Sequence, residues 1–176
     1  MSNKNGSKMP LTIEDVVVPN LTRTLKALSH ILQKGADYAE SKGMDPAVLV
    51  NSRLIADMHP LKRQVQMVTD TVRRVVCQLG EQEVPSVEDT EESFAELQAR
   101  IQSTIEFVEA FDKSKLVDAE SRSIHLALGD SGIDLSGRDF VMGMAIPNIY
   151  FHAATAYNIL RQNGVDVGKM DFLGAP

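Results

Sequence analysis

Residues 57–80 read DMHPLKRQVQMVTDTVRRVVCQLG, and the fold turns on how this stretch is read. Leu61, Val65, Val68, Val72, Val75 and Leu79 recur at alternating steps of three and four. That spacing lays one apolar stripe along a helix that begins just after Asp57-Met58-His59-Pro60 and stops at Gly80. A helix with a single stripe needs other stripes to bury it.

The chain supplies them on both sides. Upstream, Val18, Leu21, Leu25, Leu28 and Leu32 predict a helix from about Glu14 to Ser41, with Pro19 in its first turn and Gly43 just past its end. Asp45-Pro46 has the form of a cap followed by proline at the first position of a short helix, which carries Leu49 and extends toward Leu54. Downstream, EQEVPSVEDTEESF is an acidic connection in which Thr90 and Ser93 give a weak capping signal and Glu91 and Glu92 favour a helix start. Phe94, Leu97, Ile101, Ile105 and Val108 then form a ladder ending near Asp112.

From Arg122 the period changes to two. Ile124, Leu126 and Leu128 alternate with Ser123, His125 and Ala127, and after GDSG the segment IDLSG alternates again, which predicts a short hairpin. A last helix follows from about Arg138 to Gln162, kinked at Pro147, and Phe172 and Leu173 in the tail are expected to dock on the helices. The expected architecture is all-α, a four-helix bundle with a short β-hairpin before the last long helix. Residues 1–10 read as a flexible leader and residues 11–176 as one domain.

Composition agrees with packed helices. Of 176 residues 43% are hydrophobic but only 5% aromatic, with no tryptophan, so aliphatic side chains carry the core. A net charge of −6 and scattered basic residues argue against a nucleic-acid partner, because phosphate contacts supply most of that affinity. No apolar run reaches membrane-spanning length, and the start lacks the apolar core of a signal peptide. Cys77 is the one cysteine, so no internal disulfide forms; a cytoplasmic protein is the expectation.

Among the four histidines, His30 and His125 fall on polar faces and read as solvated. His59 and His152 differ. His59 stands at the start of the central helix, where an ordinary helix-start residue is an equal reading. His152 is embedded in AIPNIYFHAATAYNILRQNGV, residues 145–165, and its plain reading is a core histidine satisfied by hydrogen bonds. Asn148, His152 and Thr155 nevertheless share one polar row that needs polar company, and His59, Arg63 and Gln66 form a matching row. Tyr150, Tyr157 and Arg161 make a second row, which could bind an anion or an aromatic ligand but more often is helix-packing surface covered by the arginine stem. Arg73 and Arg74 flank Cys77 closely enough to lower its pKa, but no nucleophile motif surrounds it, and a boundary cysteine is the better reading.

Taken in order, DMHPLKRQVQ, PSVEDTEESFAELQARI, PNIYFHAATAYNILRQNGV and GKMDFLG resemble the DinB/YfiT-like superfamily, in a branch known only as a domain of unknown function. The resemblance covers about Thr12 to Gly174 and implies a four-helix bundle, often dimeric, with a three-histidine metal pocket between helices. Some members transfer or hydrolyse thiol adducts of small molecules, and others isomerise small acids. By position, the helix-start histidine falls on His59, and the second of the paired histidines falls on His152. The first falls on Asn148, which departs from the pattern. An amide oxygen is a weaker ligand than imidazole for Zn, Ni or Fe, and Asp57 helps only if the backbone turns it inward. The resemblance thus implies a degenerate metal site at His59, Asn148 and His152, with His59 and His152 as catalytic candidates. Arg63, Gln66, Tyr150 and Thr155 are candidates to line a small-molecule pocket, and a homodimer is expected. The alternative is a non-catalytic dimeric protein whose polar row is a buried network.

Overall fold

Thr12 starts the first helix with chemistry that its own neighbourhood supplies. In the computed structural model, which describes residues 12–128 and 131–174, its side chain accepts from the Asp15 N–H and the Asp15 carboxylate accepts from the Thr12 N–H. This reciprocal cap opens α1 (Ile13–Ser41). The leader expected at residues 1–10 lies outside the described residues, as do residues 129 and 130 of the hairpin turn. Pro19 falls in the second turn rather than the first. It removes one internal hydrogen bond without ending the helix, because Val17, Val18 and Leu21 around it are buried and packing holds the backbone. Gly43 leaves the helix at φ +59°, a conformation that costs other residues strain.

Asp45 caps α2 (Pro46–Val50) by accepting from the Ala47 N–H at 2.9 Å. Leu49 is buried, but Leu54 lies beyond the end of this helix and is exposed. The central ladder is α3 (Leu61–Leu79), ended at Gly80. The next is α4 (Phe94–Glu109), capped by Ser93 and not by Thr90. Glu96 explains the difference: its carboxylate reaches back to the Ser93 N–H at 2.9 Å, whereas Thr90 has Ser93 at the corresponding position.

The hairpin forms between β1 (Ser123–Leu128) and β2 (Ser131–Ser136), antiparallel, with Ser123 opposite Ser136 and Leu128 opposite Ser131. β2 therefore begins two residues before Ile133, where the alternation started. One helix from about Arg138 to Gln162, kinked at Pro147, was expected after it. Instead α5 (Gly137–Asp139) runs into a π-helical turn (Phe140–Ala145), which continues as α6 (Ile146–Gln162). The Ile146 N–H donates to the Val141 carbonyl, five residues back, just ahead of Pro147, which has no N–H to donate.

α3 packs most extensively on α6 and also on α4, while α1 packs on α4 and on α7 (Lys169–Leu173). Val65, Val68 and Val72 are fully buried where these stripes meet, each contributing about 1.5–3 kcal/mol of apolar burial. In the tail, Phe172 packs edge-on to Tyr157 with ring centroids 6.0 Å apart. Leu173 is exposed; its carbonyl, not its side chain, is the anchor and accepts from Arg23 at 2.7 Å. Among the described residues, no helix is long and apolar enough to cross a membrane.

Candidate functional site

The seam between α3 and α6 brings two helix faces together around a buried glutamine. Gln64 sits on the apolar side of α3, three residues after Leu61 and four before Val68. Its Nε2 donates to the His59 carbonyl at 2.9 Å, and its Oε1 lies 2.7 Å from His152 Nδ1. A carboxamide oxygen only accepts, so the proton of this bond belongs to Nδ1 and the Nε2 lone pair of a neutral His152 is left free. Burial, with the nearby His59 and Arg63 charges adding to it, holds His152 below the ordinary imidazole value of 6.5. It is therefore neutral at pH 7. Phe151 stands edge-on to its ring at a centroid distance of 5.2 Å.

His59 is exposed, and its ring makes no hydrogen bond with any described residue. Asn148 donates to Thr71 Oγ1 at 2.9 Å. Thr155 is buried and donates back to the Phe151 carbonyl of its own helix at 2.7 Å. Tyr150 turns to α1, where its hydroxyl donates to Asn20 at 2.8 Å. Gln66 turns toward the acidic connection and donates to Glu91 at 2.9 Å, and Arg63 pairs with Asp89 of the same segment. So the partner that α3 offers to His152 is Gln64 rather than the His59/Arg63/Gln66 row. One signal could have found it: a polar residue on the ladder stripe itself.

A second polar cluster was not anticipated. Arg100 of α4, with a side chain only 2% exposed, reaches Asp70 at 2.5 Å, Glu91 at 2.9 Å and Asp89 at 3.1 Å. Burial works against both charges, yet the hydrogen bonds from Gln66 and Arg100 hold the Glu91 carboxyl below its usual range. Arg100 is likewise held up by Glu91 and Asp70 despite its desolvation. These pairs strap the acidic connection onto α3 and α4. Cys77, by contrast, is buried, and desolvation pushes its thiol up against the opposing Arg73 charge, which makes it a poor nucleophile.

The donor set fits a tightly held metal poorly. No group of three or more His, Cys, Asp or Glu side chains suited to a metal comes together among the described residues. Asp57 is exposed, and the Asn148 amide is engaged with Thr71. What remains is two imidazoles and a neutral amide.

A family model described as a domain of unknown function (DUF1993) matches residues 13–173. The chain is 41% identical to a DinB family member protein from Shewanella denitrificans, solved by crystallography. The similarity covers 93% of each chain with a TM-score of 0.86. No curated protein matches.

Proposed function

Because this chain belongs to the DUF1993 family within the DinB-like superfamily, we propose on its own geometry that it acts on a small molecule at the α3–α6 seam, with His152 as the group that accepts a proton. The observation that carries this reading is the chain from the His59 carbonyl through Gln64 to His152 Nδ1. It orients the imidazole, selects its tautomer and leaves Nε2 free, while burial keeps the ring neutral near pH 7. Such a base suits removal of a proton from water or a thiol, the opening step of a hydrolysis or a transfer. His59, exposed beside it, is the partner acid. A metal would supply a lowered pKa for bound water or thiol, but two imidazoles and an amide engaged with Thr71 do not make a tight site for one, and no step of this reading depends on it. The proposal also includes a reducing compartment, supported by the single buried cysteine, and a homodimer, supported only by the superfamily resemblance.

The test couples a hydrolase and thiol-transfer screen to His152→Gln. Loss of a screened activity by about 100-fold or more, with the melting temperature kept, supports the reading. Stoichiometric metal in protein purified without tag or chelator, lost in His152→Ala, would replace it with a metal-dependent one.

A second reading is favoured by one feature: the polar groups of this seam largely satisfy one another, as a purely structural network would. Under it, His152→Gln lowers stability and changes no activity.

A further inference from the structure

Beside the seam, a cavity of about 520 Å³ opens between α3, β1 and the π-helical turn that leads into α6. Its walls divide into two kinds. Phe140, Met144 and Phe151 make an apolar side, and Met144 and Phe151 remain 44% and 57% exposed. Thr71, Asn148 and Arg74 make a polar edge.

Arg74 is the one charged side chain among the described residues that line the cavity. It makes no hydrogen bond or ion pair with any described residue. Arg63, Arg100 and Arg161, by comparison, each face a carboxylate. Thr71 donates its own proton to the Met67 carbonyl and accepts from Asn148, which leaves the second Asn148 N–H free to donate. The edge therefore offers a guanidinium fork and an amide donor to a group that can only accept.

We propose that this cavity binds a small monocarboxylate with an aromatic or aliphatic body. The carboxylate takes the Arg74 fork and the Asn148 N–H, and the body covers Phe140, Met144 and Phe151. One guanidinium with no second cation in the lining matches one negative charge, so a dianionic phosphate ester is disfavoured. The π-helical turn adds room: a Cβ built on Gly143 would meet no other atom within 4 Å. The inference deepens the proposed function by naming a ligand class for the same region. Its test needs no turnover, so the two readings fail separately.

The test is calorimetric titration and backbone-amide NMR with hexanoate, 3-phenylpropionate and the neutral 3-phenylpropionamide. The carboxylates are expected to bind saturably, 3-phenylpropionate at least about tenfold tighter than its amide. Arg74→Gln should abolish that preference, and Gly143→Leu should block binding from a position with room for its side chain. Lys26→Gln, which removes an exposed cation of α1 outside the cavity lining, should leave binding intact. Absence of saturable carboxylate binding, equal affinity for the amide, or a preference that survives Arg74→Gln would each overturn the proposal. So would shifts at Phe151 that follow protein concentration instead of ligand, because they assign the face to a second copy of the chain.

Discussion

Gln64 Oε1 lies 2.7 Å from His152 Nδ1, and this contact joins the core of α3 to the only histidine described as partly buried in α6. The same carboxamide donates to the His59 carbonyl, so a single side chain sets the ring tautomer and ties down the approach to α3. Replacing it by glutamate keeps the size and adds a negative charge beside the imidazole. Gln64→Glu should raise the His152 pKa, read by NMR of the ring carbons, because an opposite charge favours the protonated form. Gln64→Leu should instead cost about 1–3 kcal/mol in chemical denaturation, since it strands a buried donor. An unchanged His152 titration in Gln64→Glu would mean that the two side chains do not meet in solution.

The pH dependence of stability follows from the same ring. Folded His152 lies below 6.5, while an unfolded histidine titrates at about 6.5. Between those values the unfolded chain holds more protons, so stability rises with pH across the window. It should be lost as pH falls from about 6.5 through the folded value, then cease to change on account of this group. Denaturation midpoints measured against pH should therefore show a slope that flattens in His152→Gln.

Arg100 should be the most costly surface-adjacent residue to remove. Its guanidinium is nearly inaccessible and holds Asp70, Asp89 and Glu91, and Gln66 donates to Glu91. Arg100→Ala leaves the largely buried Glu91 without its cation, while water still reaches Asp70 and Asp89, so the cost should be about 1–3 kcal/mol, short of a fully buried pair. Arg100→Lys should recover only part of this, because an ammonium lacks the fork that reaches several partners. Urea denaturation of the three proteins measures the series. A loss below about 1 kcal/mol, the level of a surface pair, would show that the strap is loose in solution.

The bundle was legible because it rests on spacing. Leu61 to Leu79, Val18 to Leu32 and Phe94 to Val108 each carry a stripe, and stripes of that kind bury one another in few ways. The π-helical turn was not legible. Pro147 announced an irregularity, but where the strain is absorbed depends on Phe140, Val141 and Ala145 finding the core. The site was half legible. His152 stood out as polar among apolar neighbours, whereas its partner Gln64 was masked by polar neighbours at 62, 63 and 66. Arg100 was hidden for a related reason: its partners Asp70, Asp89 and Glu91 come from other segments, and no local pattern joins them.

The C-terminal tail should release at low pH by a mechanism separate from the core. The Gly168 N–H donates to Asp171 Oδ2 at 2.6 Å, and His30 and Lys34 reach its other side at 2.8 and 3.2 Å. The backbone donor first, then these two side chains, draw the Asp171 carboxyl down from 3.8 to about 2. A carboxylate with a depressed folded pKa stabilises the docked tail above its unfolded value, and that contribution is lost as pH falls from 3.8 toward 2. Asp171→Asn removes the charge while keeping the shape, so at neutral pH it should reproduce the acid behaviour. Amide exchange should quicken across α7 and leave the α3 amides unchanged. If α7 keeps its protection in the variant, the Phe172 ring against Tyr157 holds the tail without help from the charge.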